Sequence, residues 1–438
     1  MDGKKFLLGI LIFAILLAGC VGPKAEEKKP AVEEKPKIVE IPIGVLVDLS
    51  GPLTTYGEDI KVCTEIAMEN INKYFESKGQ PYRVKLYVED TKVDPKISLE
   101  KTMALHGKGV KMIIGPMGSG EVKNIFEYVT SNKMIIVSPS STAPPKFIGA
   151  TKPEDKKYVF RFVATDAFQT KAIAKLAQDL GIKAVVITYV GNAWGQGLDE
   201  YGKAEFEKVG ITVATDVEYP DPPPADFTPY IATLENTVND LLKTYKAEEI
   251  AVVAFSYEEV ATILAQVKDD SVLLTVKWIG CDGTAKSSKV VEDVPERASK
   301  VGLYSTVAET RGGKAFEEFN KTYYAKTGKS PKSYGMNAHD AEWVIALAYA
   351  QVGSYDADKI SEAIKEVAVK YSNGEYGVEP VSGAIKLDEY NDRVVPEYKI
   401  YAVKDNNWAE VGTWKYADNE IVWTGKEQST PNVQLGCG

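Results

Sequence analysis

Short apolar runs alternate with helix-length amphipathic segments along this chain, and midway the alternation begins again. The run at 41–49 is largely apolar and β-branched, 110–114 and 134–137 are short, mainly apolar runs, and 84–88 alternates apolar with polar residues. Between them, 59–75 and 122–130 carry the 3.6-residue spacing of helices. Strands apolar on both faces, alternating with helices, specify βαβ units around a parallel sheet, and 84–88 reads as a half-exposed member of it. The pattern restarts with strand-like runs at 184–189, 211–217, 250–255 and 275–279, separated by helical segments at 168–180, 198–209, 227–245 and 258–268. Two α/β units of like size follow. The stretch from Tyr398 onward is rich in Trp and Tyr and alternates, as edge strands do, and no short-period repeat indicates a solenoid or propeller.

The 438 residues are enough for two or three domains. A 44% hydrophobic and 26% charged composition is that of a globular protein. The net charge of −10 argues against a nucleic-acid binder, which needs a basic face to collect phosphates. Two histidines cannot build a His-rich metal centre, and four scattered cysteines make no zinc framework. Cys63 falls at apolar helix spacing with Ile60, Ile66, Ala67 and Ile71 and reads as a buried small hydrophobe, while pairing of Cys281 with Cys437 is left open.

At the N-terminus, Lys4 and Lys5 precede an apolar run over 6–17, too short to span a bilayer but of the length of a secretory leader's core. It ends Leu17-Ala18-Gly19-Cys20, which resembles the lipobox of exported lipoproteins. Residues 1–19 then read as a signal peptide, Cys20 as the lipid-bearing residue, and the charged, proline-bearing stretch 20–37 as an extended tether. Stable attachment calls for two lipid chains. The expected location is the outer face of the cell membrane.

Motifs of catalysis are missing: there is no phosphate loop, no His-Glu-x-x-His, no Cys-x-x-Cys and no Gly-x-Ser-x-Gly elbow. His106 and His339 read as packing or surface residues, and the adjacent Glu258 and Glu259 as a solvated pair. The chain reads as a non-enzyme requiring no cofactor. What the sequence does contain is strands that run out through small polar residues. Ile113-Ile114-Gly115-Pro116-Met117-Gly118-Ser119-Gly120 does so through glycines, and 136–145, with Ser138, Ser140, Ser141 and Thr142, through hydroxyls. Such loops suit an anion beyond the carboxyl ends of strands, although each hydroxyl could equally cap its own helix. In Trp278-Ile279-Gly280-Cys281-Asp282-Gly283, Asp282 reads as a turn residue or as a counter-charge for an ammonium group.

The run Gly44-Val45-Leu46-Val47-Asp48-Leu49-Ser50-Gly51-Pro52-Leu53-Thr54-Thr55-Tyr56-Gly57, the loops at 115–120 and 138–144, Tyr189-Val190-Gly191-Asn192-Ala193-Trp194-Gly195-Gln196-Gly197 and Asp226-Phe227-Thr228-Pro229-Tyr230 resemble the branched-chain amino acid binding proteins. These are the type I periplasmic solute receptors of ABC transporters, and the likeness extends from about 41 to about 403. The resemblance implies an α/β fold of two lobes, each a parallel-rich sheet flanked by helices, joined by three crossover strands near 162–165, 304–307 and 382–385. Lobe one is expected at 38–163 and 306–383, lobe two at 164–305 and 384–438. By position, Ser119, Ser140 and Thr142 match the groups that hold the ligand carboxylate, and Asp282 the acid that receives its ammonium. Tyr56, Met117, Trp194 and Tyr334 match pocket walls, with Ser256 or Tyr257 a further lobe-two contact.

The implied protein is a monomer that captures an amino acid and delivers it to the membrane permease of an ABC transporter; a sensor of the same fold is the other reading. The chain also departs from the pattern. Members with branched-chain specificity often carry glutamate at the position of Asp282, cysteine at that of Gly118 and tyrosine at that of Trp194. Amides, aromatic acids and other small amino acids therefore stay open beside leucine, isoleucine and valine.

Overall fold

The computed structural model describes residues 37–309, 313–394 and 397–425. The leader, Cys20, most of the tether and Cys437 lie outside the described residues.

The first half is a five-stranded parallel sheet. Its elements in chain order are β1 (Val39–Val47), α1 (Thr54–Ser77), β2 (Tyr82–Asp90), α2 (Pro95–Gly107), β3 (Met112–Ile114), α3 (Ser119–Ser131), β4 (Ile135–Ser138) and β5 (Val159–Arg161). The strand order is β2-β1-β3-β4-β5. The inner strands β3 and β4 are buried at every residue, as continuous apolar runs require when helices cover both faces. The strand expected to be half-exposed, β2, is the sheet edge.

The second half repeats the plan with α4 (Asp166–Asp179), β6 (Ala184–Val190), α5 (Ala193–Lys208), β7 (Thr212–Tyr219), α6 (Thr228–Leu241), β8 (Ile250–Phe255), α7 (Val260–Gln266), β9 (Lys277–Gly280), α8 (Ser288–Asp293), α9 (Pro295–Lys300) and β10 (Tyr304–Ala308). These strands pair in parallel in the order β7-β6-β8-β9-β10. The chain then returns to the first layer with α10 (Gly313–Thr327), α11 (Ser333–Val352) and α12 (Ala357–Ser372), α11 packing on α1 and β3. It ends in the antiparallel strands β11 (Glu397–Lys404), β12 (Asn407–Lys415) and β13 (Glu420–Trp423), which extend the second sheet beyond β10. The aromatic alternation after Tyr398 is this extension. Helix α11 is buried on all sides from Ser333 to Tyr349, so it lacks the one-sided stripe by which a helix is recognised.

Two boundaries differ from the sequence reading. Strand β10 stays in the second sheet to Ala308, so a division at 305/306 cuts through it. Residues 385–394, expected in the second half, run instead beside β5: Arg161 N–H donates to Asn391 O and Arg393 N–H to Arg161 O, both at 2.9 Å. Residues 391–393, beyond the expected crossing at 382–385, thus still lie on the first sheet, and β11 of the second begins at Glu397. A buried ion cluster explains the delay. Arg161 grips Asp392 with both arms, Nε to Oδ1 at 2.6 Å and Nη2 to Oδ2 at 2.5 Å, and Lys156 Nζ donates to the same carboxylate. All three side chains are fully or almost fully buried.

Breaking a buried pair by removing one partner strands the other charge, which costs about 3–5 kcal/mol. Asp392→Ala leaves two cations stranded and is expected to lower stability by at least that much in denaturant unfolding. An unchanged unfolding midpoint would mean that the cluster does not hold 385–394 on the first sheet.

Candidate ligand-binding site

In an open α/β sheet the loops diverge, and a crevice opens, where strand order reverses. In the first sheet that point lies between β1 and β3; in the second it lies between β6 and β8. The two crevices face one another, and the loops that leave their strands form the site.

After β1, the buried Asp48 carboxylate gathers the backbone N–H groups of Ser50, Gly51 and Leu53 at 3.1, 2.5 and 2.6 Å. This turn starts α1 and fixes Leu53 and Tyr56 at the crevice. After β3, the N–H of Gly118 donates to Glu121 Oε2 at 2.7 Å, closing the first turn of α3. Burial pushes the Glu121 carboxyl up to about 8, so it is protonated at neutral pH. A Cβ on Gly118 would stand 2.8 Å from Val93 Cγ1, so only glycine lets the loop pass.

The hydroxyls here do not cap their own helices. Ser119 Oγ accepts the Ala143 N–H at 3.1 Å and lies 3.0 Å from Ser141 Oγ. Ser138 Oγ donates to Pro116 O at 2.6 Å, and Ser140 Oγ to Met117 O at 3.1 Å. Each stitches the loop after β3 to the loop after β4. The α3 N-terminus and its hydroxyls thereby become one rigid rim.

In the facing half, Asn192 caps α5 by accepting the N–H groups of Trp194 and Gly195 at 3.0 and 3.1 Å. Its Nδ2 donates to Tyr257 OH at 3.2 Å. Trp194 and Tyr257 stack with ring centroids 4.4 Å apart and planes 10° from parallel. A Cβ on Gly283 would lie 2.8 Å from Trp194 Cη2, so the indole packs directly on that backbone. Asp282 leaves the end of β9 beneath this stack. Its Oδ2 accepts the Tyr334 hydroxyl, while Oδ1 is buried and has no hydrogen-bond partner. Burial, only partly offset by Tyr334, pushes the carboxyl up to about 6.

The halves touch around the crevice. Tyr56 OH reaches the carbonyl oxygens of Asp282 (3.0 Å) and Ala285, Thr55 Oγ1 lies 3.0 Å from Ser288 Oγ, and Lys332 Nζ donates to Lys286 O at 2.7 Å. The rings of Tyr56 and Tyr334 are 5.2 Å apart. Within this closure is a small cavity.

Tyr56, Met117, Ser119, Ser140, Trp194, Tyr257, Asp282 and Tyr334 line it together, joined by Leu53, Gly118 and Gly283, which carry no chemical signature in the sequence. Thr142 stands outside this lining, buried, with Oγ1 unpartnered and its carbonyl accepting the Asp166 N–H at 2.8 Å. Ser256 is buried with its hydroxyl unpartnered and is not in the lining.

Asp166 is the residue that sequence reasoning missed. It is fully buried, and burial, with the charge of Asp282 adding to it, holds its carboxyl well above the usual range. An acid opening a helix reads simply as favourable to the helix dipole, so its position gave no signal.

Other expectations resolve locally. Glu258 and Glu259 do not face water. Glu258 accepts Ser287 Oγ at 3.0 Å, and Glu259 accepts Tyr219 OH at 2.7 Å, because the turn after β8 folds both back onto the sheet end. His106 Nδ1 lies 2.8 Å from Tyr128 OH and His339 Nδ1 2.9 Å from Asp340 Oδ1, both away from the cavity lining. Cys63 and Cys281 are buried free thiols. No described helix is long and apolar enough to cross a membrane.

Comparison with known proteins agrees with this architecture. A protein of Methanocaldococcus jannaschii whose function is uncharacterised is 46% identical over 422 residues, covering 94% of this chain and 98% of its own. Among solved structures, a leucine binding protein, LivK, from Thermotoga maritima superposes with a TM-score of 0.72 at 23% identity, covering 86% of this chain and 99% of that one. LivJ, a branched-chain amino acid transporter substrate binding protein from Streptococcus pneumoniae solved with isoleucine, gives 0.70 at 19% identity, covering 88% and 100%. The family model described as periplasmic binding protein matches residues 40–407. The chain belongs to the periplasmic binding protein family, with the two-lobe type I fold.

Proposed function

We propose that this protein is a lipid-anchored solute receptor that encloses an amino acid, with branched-chain residues the leading class, and delivers it to the permease of an ABC transporter. The observation that carries the reading is the Asp282 carboxylate. It is buried at the end of an aromatic cavity, with one oxygen still lacking a donor and a rim of hydroxyls and helix N–H groups facing it from the other half. A buried carboxylate costs several kcal/mol unless it is paired, and an ammonium group is the pairing that an amino acid supplies.

In this reading Ser119 and Ser140, with the N-terminus of α3, hold the ligand carboxylate, and Asp282 holds the ammonium. Tyr56, Met117, Trp194, Tyr257 and Tyr334 enclose the side chain. The ligand makes its best contacts only when both lobes surround it, so its differential affinity draws the open protein closed. The methylene that separates aspartate from glutamate sets Asp282 back by roughly one C–C bond, about 1.5 Å, and Trp194 fills space from the opposite side. Both changes reshape the pocket around the ligand's two ends. Cys20 ties the receptor to the outer face of the membrane, where a permease partner resides. The family acts outside the cytoplasm, which supports that placement.

A thermal-shift panel of amino acids, amides and aromatic acids on the purified protein tests the ligand class. A ligand at 100 times its Kd adds about 2.7 kcal/mol of stability, so the melting temperature is expected to rise by several degrees with leucine, isoleucine or valine. A rise with aromatic acids or amides alone would replace the amino acid reading. Asp282→Ala removes the partner of a buried ammonium, a loss of about 3–5 kcal/mol, or from about a hundredfold to a few thousandfold in affinity. Calorimetry that finds unchanged affinity in the folded variant would take Asp282 out of the site.

A further inference from the structure

The turn that follows β9 carries more than the Asp282 carboxylate. Its backbone from Asp282 to Lys286 is gripped from the facing half by Tyr56 and Lys332, and Lys332 does not line the cavity. Lys332 stands immediately before α11, where its own N–H donates to Asp59 Oδ1 at 3.0 Å. Asp59 is buried on α1, one helical turn beyond Tyr56, and the same oxygen accepts the Tyr323 hydroxyl of α10 at 2.6 Å. A Cβ on Gly335 would stand 2.1 Å from Asp59 Oδ2, so α11 starts directly against this acid. The Lys332 backbone is therefore fixed to the helix that carries Tyr56. From there its ammonium lies over the Tyr56 ring, 5.3 Å from the ring centre, and donates to Lys286 O of the other half at 2.7 Å.

The acceptor is as firmly placed as the donor. Lys286 holds the left-handed conformation (φ 59°), which a lysine keeps only where its surroundings fix it. Its Nζ lies 3.3 Å from Glu309 Oε2, just past β10, and 5.2 Å from the centre of the Tyr401 ring on β11. On either side, Thr284 Oγ1 accepts the Cys281 N–H at 3.1 Å and lies 2.7 Å from Ser305 Oγ, and Trp408 Nε1 donates to Ser287 O at 2.9 Å. The bond from Lys332 thus joins two fixed points. Opening the crevice breaks it and returns the ammonium to water. A hydrogen bond from a charged donor contributes about 10- to 100-fold to an equilibrium. Closure of the empty site is opposed by another group, since it leaves Asp282 Oδ1 buried without a donor.

We propose that Lys332 is a clasp between the halves that sets how long a captured ligand stays, without touching the ligand or selecting it. This rests on the reading given above, in which the halves close around an amino acid. The bond to Lys286 exists only in the closed form, so it slows opening and leaves entry unaffected. Its partner is the protein backbone, so it contributes equally for every ligand that the closed site admits. Choice among ligands stays with the residues that line the cavity. Lys332 acts here as a positioning residue: with the bonds from Tyr56 to the carbonyls of Asp282 and Ala285, it holds the Asp282 turn against the first half.

The test is calorimetry and stopped-flow tryptophan fluorescence of the full protein with L-leucine, L-isoleucine and L-valine at pH 7. Burial and the charge of Lys286 lower the Lys332 ammonium to about 8, so it is charged under these conditions. Lys332→Met keeps the stem over Tyr56 and removes the donor. Affinity for all three amino acids is expected to fall by one common factor, about 10- to 100-fold, with dissociation faster by that factor and association unchanged. Lys332→Arg, which keeps a cationic donor, is expected to fall between Lys332→Met and the wild type. Should Lys332→Met not fold, Lys332→Gln, whose head group falls about 1.5 Å short of the carbonyl, carries the same prediction. An unchanged dissociation rate in the folded variant overturns the clasp and leaves the amino acid reading standing. A loss that differs among the three ligands, or that lies in the association rate, also overturns it. No binding of any of the three to the wild-type protein overturns the branched-chain reading and this inference together.

Discussion

A carboxylate buried at the tip of a strand, with one oxygen satisfied and one not, is the constraint around which the rest of this structure is arranged. Asp282 could not stay in that position in an ordinary core. Its surroundings supply a tyrosine hydroxyl to one oxygen and aromatic walls around the cavity it lines. The opposite rim carries the N-terminus of α3 and a set of serine hydroxyls. Hydroxyls there are tied to neighbouring loops and not to their own helices, so the geometry of the rim is set before any ligand arrives.

The two α/β halves explain how these opposed features come to face one another. Each sheet reverses its strand order next to its first strand, and each therefore opens a crevice at its carboxyl edge. Neither crevice alone encloses a ligand. Contacts such as Tyr56 to the carbonyls of Asp282 and Ala285 bring them together across 226 and 229 residues of chain. Those two contacts are polar. A modest differential affinity can bias such an interface, which is what a receptor that must open again requires. The Lys156–Arg161–Asp392 cluster acts on another level: it pins the segment before the last passage to the first sheet, so the connections between halves start from fixed points.

Much of this was legible in the residues. The run at 250–255 is the strand Ile250–Phe255 to the residue, because a strand covered on both faces must be apolar throughout. The alternation at 84–88 marked an edge, and the restart of the pattern marked a second sheet. Periodicity failed where burial was complete or polar. Helix α11 is buried on every side, polar residues such as Asp340 and Glu342 included, and shows no stripe; 385–394 is held by ions buried far apart in sequence, and Glu258 and Glu259 turn inward because a strand end offers them hydroxyls and N–H groups. In the site, chemistry-bearing residues stood out, whereas Leu53, Gly118 and Gly283 contribute only shape. Asp166 was hidden for a different reason. Its local setting, an acid in the first turn of a helix, has an ordinary explanation, and only its complete burial makes it unusual.

The central claim is that the ligand itself closes the two lobes by pairing charges that neither lobe can satisfy alone. Small-angle scattering of the protein with and without a saturating amino acid ligand tests it most directly. The account predicts a smaller radius of gyration and a contracted distance distribution on adding ligand, and no contraction in Asp282→Ala at the same ligand concentration. Identical profiles with and without a ligand that demonstrably binds would contradict it.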